Sequence, residues 1–325
     1  MGEFDLLARV RERLSPPGPR VVIGSGDDAA VTVPGGATAT SVDAAVDGVH
    51  FRRDQASLSQ IGAKALAAAL SDLAAMGAEP GEAYVVLGVP ADLDEDGCLE
   101  LVDGLEEIAS ATGTTLAGGD VTRAPALTLA VTVVGHAQEP DQLVGRGGGS
   151  PGDVLVLTGE IGGAAAGLFL LEHPGSDSPE ADRRAALIAR QLEPRPRLEL
   201  GKALAAEGAT AMIDLSDGLA GDAAHLALAS GTGARIDAGA LPVAAGVAEV
   251  AEAAGRDPLE LAASGGEDYE LLAALPTGRL DAALAVAATA GARLTPIGEL
   301  VAGEGVEIRR PDGTPVRAAG FDQLG

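Results

Sequence analysis

The chain has 325 residues, enough for two domains, with 48 acidic against 22 basic side chains and a formal net charge of −26. That balance excludes nucleic acid and an anionic membrane surface as partners, because both are held by clustered lysine and arginine. A single cysteine, Cys98, rules out an internal disulfide or a cysteine-based zinc site, and fits a reducing, cytoplasmic compartment.

The opening "MGEFDLLARVRERL" is charged at Glu3, Asp5 and Arg9 and has no apolar core, so it does not read as a signal peptide. Leu6 stands where a myristoylation motif wants Ser or Thr. Strands are predicted at "VVIG" (21–24), "TATSVDAAV" (38–46), "EAYVVLGV" (82–89) and "ALTLAVTVVGHA" (126–137), β-branched runs bounded by turn residues. Helices are predicted over 57–77 and 96–113, each ended by a glycine. "GRGGGSPGD" (145–153) reads as a connection, which divides the chain into domains 1–144 and 145–325. The second half opens with the strand "DVLVLTG" and continues with helices near 160–172, 181–192 and 197–207. The strand "TAMIDLS" then precedes a helix over 219–230. "ARIDAGAL", a helix near 245–254, the strand "YELLAAL", a helix over 279–290 and a closing "VEIRRPDGTPV" hairpin complete the chain. Mixed strands and helices in each half give an α/β (α+β) fold. The alanine-rich stretches are broken by charge or glycine before the ~20 residues that a membrane span needs.

Six sites repeat one theme, a carboxylate beside Gly or Ser at a strand end or turn. They are "GSGDDAAV" (Asp27, Asp28), "TSVDAAVDGVHF" (Asp43), "ALSDLAAMG" (Asp72), "LAGGDVTR" (Asp120), "IDLSDGL" (Asp214, Asp217) and "SGGEDYEL" (Glu267, Asp268). Any one of them is ordinary turn or N-cap chemistry. Asp72 resists that reading. Helical spacing puts Gln60, Lys64 and Ser71 on one face, read as the wet one, and Asp72 roughly 100° away beside Ile61 and Met76. A carboxylate there needs a cation, and Lys64 points elsewhere.

Several carboxylates without basic partners suit a hard divalent ion, Mg²⁺ or Mn²⁺, while the four histidines show no metal-binding spacing. Magnesium held by few carboxylates keeps phosphates among its ligands, so a phosphate-handling enzyme is expected. It is not a P-loop enzyme. No G-x-x-x-x-G-K-[ST] occurs, and the two lysines, Lys64 and Lys202, lie outside glycine-rich loops. "GRGGGSPG" lacks the preceding strand and following helix of a dinucleotide fold. Phosphate charge must then be met by metal, by backbone N–H groups of glycine turns and by a few arginines.

In this order, "GEFDLLAR", "GSGDDAAV", "SVDAAVDGVHF", "LSDLAAMGA", "LAGGDVTR", "IDLSDGLAGD" and "SGGEDYEL" make a set that resembles the thiamine-monophosphate kinases. That family lies in a superfamily with aminoimidazole ribonucleotide synthetase, selenophosphate synthetase and a hydrogenase-maturation dehydratase. The resemblance runs from residue 3 to "GFDQL" and implies ATP-dependent conversion of thiamine monophosphate to thiamine diphosphate. It also implies a homodimer whose N-terminal domains pair strands into a shared barrel, with ATP and several Mg²⁺ ions in a cleft lined by both domains. By motif position, Asp28, Asp43, Asp72, Asp120, Asp214 and Asp217 resemble magnesium ligands, and Ser41 and Val42 add oxygens. Gly119, Asp120, Arg146 and Ser216 match ATP contacts, and His50, Glu267 and Phe321 match positions that hold the thiamine phosphate.

Two positions depart from the family pattern. Val42 stands where Thr is frequent, leaving a carbonyl but no hydroxyl. Phe321 stands where Tyr or Trp occurs, keeping a ring without its polar edge. Taken alone, His50 also reads as a surface imidazole, Arg146 as a linker arginine and Phe321 as a core anchor. The nucleophile of the implied reaction is an anionic phosphate oxygen, so no general base is required and charge neutralisation carries the rate. Asp222 is read as a solvated helix residue. The alternatives are another ATP-dependent enzyme of the superfamily and a non-enzymatic metal- or nucleotide-binding regulator. Cys98 lies away from the position expected for a selenophosphate synthetase, and the "FDQLG" end lacks the maturation protein's cysteine.

Overall fold

The computed structural model describes residues 3–26, 29–176 and 179–321. The chain forms two compact units, Met1–Leu73 with Ala78–Asp141, and Ala74–Gly77 with Gln142–Gly325. Among the described residues, no helix is long and apolar enough to cross a membrane.

The first unit begins with α1 (Glu3–Arg11) and a small antiparallel pair, β1 (Val21–Ile23) and β2 (Val31–Thr32). It continues with β3 (Ala37–Val46), α2 (Leu58–Ala75), β4 (Glu79–Val89), α3 (Glu95–Thr112), β5 (Thr115–Arg123) and β6 (Thr128–Ala137). The sheet order is β3-β6-β4-β5, antiparallel except for the parallel β4–β5 edge. Both ends of α3 are encoded locally. Asp94 accepts the Gly97 N–H at 2.9 Å, and Gly113 closes the helix at φ 71° with its N–H on the Ala109 carbonyl. Where α2 meets α3, a Cβ on Gly62 would collide with the Leu101 carbonyl oxygen and one on Gly104 with that of Ser59. Glycine at both positions lets the two backbones touch.

One face of this sheet is buried and the other is open. Leu129, Val131 and Val133 of β6 are at most 1% exposed, whereas Val42 is 65% and Val86 43% exposed. Register places Val42 beside Thr132 and Tyr84, and Ala44 beside Ala130 and Val86, in rows across the open face. The expected wet face of α2 is corrected here: Lys64 and Ser71 are 8% and 0% exposed. The run "AKALAAALSDLAA" is apolar on nearly every side, so the whole helix is covered instead of one stripe.

The second unit contains a six-stranded sheet ordered β12-β9-β11-β7-β10-β8. Its strands are β7 (Val154–Thr158), β8 (Ala211–Asp214), β9 (Gly233–Asp237), β10 (Leu271–Leu275), β11 (Leu294–Val301) and β12 (Val306–Arg309). The helices are α4 (Gly163–Glu172), α5 (Ala181–Leu192), α6 (Leu198–Ala206), α7 (Leu219–Ser230), α8 (Val247–Ala253), α9 (Pro258–Ser264) and α10 (Leu280–Thr289). The continuous apolar runs "VLVLT" and "LLAAL" lie inside the sheet, covered on both sides, among Leu155, Leu157, Ile213, Leu226, Ile236 and Leu272. The closing hairpin turns back on itself as expected, through the Arg310 N–H to Thr314 O and Val316 N–H to Ile308 O bonds and an antiparallel bridge between Arg309 and Pro315, while β12 pairs in parallel with β9. β8 ends at the edge of the sheet, and the acidic loop hangs from it.

Candidate functional site

The first unit brings Ser41, Asp43 and Asp72 together. Ser41 and Asp43 are two residues apart on β3 and share its half-buried face. The Ser41 hydroxyl donates to Asp72 Oδ2 from α2. Burial, and then the negative charge of Asp72, push the Asp43 carboxyl up to about 6. Among the described residues neither carboxylate has a basic partner. Two acids held this close without a cation of their own are a fit for a divalent ion. Val42, pointing to the opposite face, has only its backbone oxygen to add. Asp28 lies outside the described residues.

Asp120 is on β5 in register with Val86, exposed and without an ion pair among the described residues. Its neighbour Gly119 has a structural duty: a Cβ there would collide with the Val85 carbonyl oxygen, so only glycine allows this approach of β5 to β4. His50 accepts the Val46 N–H on Nδ1 at 3.1 Å. In the neutral ring the proton therefore sits on Nε2, which is left as a donor.

The second unit builds its acidic loop from β8, the turn Leu215–Gly218 and the first turn of α7. Glu267 N–H donates to Ser216 O at 2.9 Å, Tyr269 N–H to Leu215 O at 2.9 Å, and Leu215 N–H to Glu270 O at 2.8 Å. A Cβ on Gly266 would collide with Ser216 O, and Gly218 has φ 102°. The two loops are zipped at a distance that side chains forbid.

This tight frame holds two non-glycine residues in the left-handed region, Glu267 at φ 65° and Tyr269 at φ 48°. Asp268 between them accepts Gly162 N–H at 2.6 Å and Ala164 N–H at 3.0 Å at the start of α4, and burial pushes its carboxyl up to about 7. Glu270 receives both Arg197 nitrogens, at 2.8 and 2.5 Å, and the Thr158 hydroxyl at 2.6 Å. The strain is thus over-determined from both sides of the loop.

Asp222 corrects the sequence-based expectation of a solvated residue. It is 2% exposed, and its Oδ2 accepts the Asp217 N–H at 3.1 Å. Burial, with the charges of Asp214 and Asp217, pushes its carboxyl up to about 8. The signal was present in the sequence: Leu219, Asp222, Ala223 and Leu226 follow the spacing of an inward helix face. Gln191, which donates to Glu267, carried no such motif.

Arg146 is exposed, and among the described residues its guanidinium has no ion pair; its carbonyl accepts the Ser230 hydroxyl at 3.2 Å. Phe321 is 66% exposed, with its N–H donating to Asp217 O at 2.9 Å, so its ring is not a core anchor. Among the described residues no cluster of three or more His, Cys, Asp or Glu side chains forms a complete cage for a metal.

Residues 26–137 match the family "AIR synthase related protein, N-terminal domain", and 150–310 the corresponding C-terminal domain. The chain is 40% identical over 322 residues to a thiamine-monophosphate kinase of Salmonella typhimurium, covering 97% of this chain and 95% of that protein. The chain belongs to the thiamine-monophosphate kinase family. A crystal structure of thiamine-monophosphate kinase from Stenotrophomonas maltophilia superimposes with a TM-score of 0.83 at 35% identity, covering 95% of this chain and 96% of the other. AaThiL complexed with AMPPCP and TMP gives a TM-score of 0.77 at 31% identity, covering 87% and 86%. The two AIR synthase related domains, with the mixed helices and sheets expected from the sequence, make up the fold.

Proposed function

We propose that the chain transfers the γ-phosphoryl group of ATP to thiamine monophosphate, giving ADP and thiamine diphosphate. One observation carries the reading: two acidic sites whose carboxylates repel each other, in a chain related over nearly its whole length to thiamine-monophosphate kinases. Ser41, the Val42 backbone, Asp43, Asp72, Asp120, Asp214 and Asp217 would hold Mg²⁺ ions, together with Asp28. Bound there, magnesium supplies positive charge against the phosphate oxygens of donor and acceptor.

The residues do the rest by position. Gly119, Asp120, Arg146 and Ser216 bind ATP, and the Arg146 guanidinium, with no ion pair among the described residues, suits a phosphate in a chain with little other positive charge to offer. His50, fixed by Val46 with its Nε2–H outward, donates to the acceptor's phosphate. Glu267 meets the cationic, hydrogen-bond-donating end of the acceptor, and the exposed Phe321 ring stacks on it. The nucleophile is already an anionic oxygen, so the step is an in-line displacement without a general base.

The open face of the first unit's sheet supports a homodimer that covers Val42, Val86 and Tyr84 with a second copy. In this reading residues 1–144 carry metal, ATP and the dimer contact, and 145–325 complete the site. Its use of ATP supports a cytoplasmic location as part of this proposal. A coupled assay for ADP release tests the proposal: turnover should need ATP, thiamine monophosphate and magnesium together. Undiminished turnover in excess chelator would overturn the metal part, and no turnover with thiamine monophosphate would overturn the whole.

A further inference from the structure

Gln191 lies in the last turn of α5, 4% exposed. Its Nε2 donates to Glu267 Oε2 at 2.6 Å, while its Oε1 is buried with no hydrogen-bond partner among the described residues. The orientation of the amide is chemically determined. A carboxylate only accepts, so the nitrogen must face Glu267 and the oxygen must face away.

An amide that leaves its oxygen unsatisfied in a buried place is a poor choice for packing alone. A leucine would fill the volume without stranding an acceptor. What the amide supplies, and leucine could not, is an N–H aimed at Glu267.

The backbone beneath that N–H is held. A Cβ on Gly167 of α4 would collide with Leu187 O and come within 3.1 Å of Gln191 Cβ, so α5 lies directly on α4. The adjacent Arg190 is tied to Glu160 through its carbonyl at 3.2 Å and its carboxylate at 2.6 Å. Glu267 in turn projects from a left-handed backbone held by its own N–H on Ser216 O, by Asp268 on the start of α4 and, three residues on, by Glu270 on Arg197. Both ends of the contact are therefore preorganised.

We propose that Gln191 is a positioning residue for acceptor recognition: its amide holds the Glu267 carboxylate in the orientation that binds thiamine monophosphate. This rests on the reading of Glu267 as an acceptor-binding residue. Gln191 acts through Glu267 alone, and it serves neither ATP binding nor the phosphoryl transfer itself.

Dissociation constants for thiamine monophosphate and for a non-hydrolysable ATP analogue, measured with magnesium by calorimetric titration, test this in a double-mutant cycle. Gln191→Leu should weaken acceptor binding about ten-fold, the loss of one hydrogen bond to a charged group. ATP-analogue affinity should stay within about two-fold and the melting temperature should change little, since removal of an orphaned acceptor offsets the lost bond to Glu267. Glu267→Gln should weaken acceptor binding as well, and adding Gln191→Leu to it should change nothing further. Gln191→Met, unbranched, repeats the test if leucine disturbs the packing of α5 on α4. Unchanged acceptor affinity in Gln191→Leu beside a weakened Glu267→Gln would overturn the role of Gln191 and leave Glu267 standing. Fully additive losses, or equal damage to ATP-analogue binding, would also overturn it. Unchanged affinity in Glu267→Gln would overturn the Glu267 reading, and this inference with it.

Discussion

At the scale of single residues, the chemistry is set by carboxylates that the fold crowds together. Asp72 receives a hydroxyl from Ser41 and faces Asp43, whose proton affinity it raises. Asp72→Asn should keep the fold and lower turnover at saturating substrates by about a hundred-fold, because one charge of the proposed magnesium site is lost. It should also raise the melting temperature in chelator, since the repulsion on Asp43 disappears; near-normal turnover would return Asp72 to a structural role. The pH dependence has a definite sign. Asp222, raised from 3.8 to about 8, holds a proton in the folded chain where an unfolded aspartate has lost it. Between about pH 4 and 8 the folded state binds more protons, so stability falls as pH rises through that window. Asp43 adds the same slope between about pH 4 and 6. In chelator, melting temperatures should therefore decline from about pH 5 to 8. Asp222→Asn, which keeps an oxygen for the Asp217 N–H, should flatten the decline above about pH 6. A wild-type profile that rises over this range would contradict the assignment.

Elements place these residues through backbone approaches that only glycine permits. Gly104→Ala pushes α3 away from Ser59 at the crossing with α2 and should destabilise the first unit by about 1–3 kcal/mol. At Gly35, where a Cβ meets nothing, alanine should leave the melting temperature unchanged. Equal melting temperatures for the two variants would show that the crossing is not tight. Elements punctuated at both ends were legible in the sequence: α3 between Asp94 and Gly113, α7 after the acidic turn, and the apolar runs of β7 and β10. β5 was not, because Gly118 and Gly119 interrupt the strand pattern at the place where it approaches β4 most closely. β11 was hidden by Pro296 and Gly298, which sit at an irregularity in its pairing with β7. The short α9 announced itself only by Asp257 capping before Pro258. In the site, acids at strand ends were visible as motifs. Asp222 was legible only through its helical spacing with Leu219, Ala223 and Leu226, and Gln191 not at all, because its contact depends on what lies opposite.

The whole molecule carries its acidity into any assembly. Two chains of −26 would bring −52 into one dimer, so association across the open sheet face must overcome net repulsion. Sedimentation should show the proposed dimer strengthening as salt rises from about 10 to 150 mM, over which the screening length falls from about 30 to 8 Å. Val86→Arg, in the centre of that face, should give a 32.0 kDa monomer. An unchanged dimer would mean that the contact lies on another surface.

The lone cysteine has a different consequence. Cys98 is fully buried in α3, and burial raises its thiol above the usual range, so both access and thiolate content protect it from alkylation. Modification then requires the packing around the start of α3 to open, and with no second cysteine in the chain every labelled molecule records one such opening. The first unit thus carries its own breathing gauge. If magnesium binds between Asp43 and Asp72 as proposed, alkylation should slow in its presence, which makes the thiol a witness to ion occupancy in an apparatus to which it contributes no chemistry.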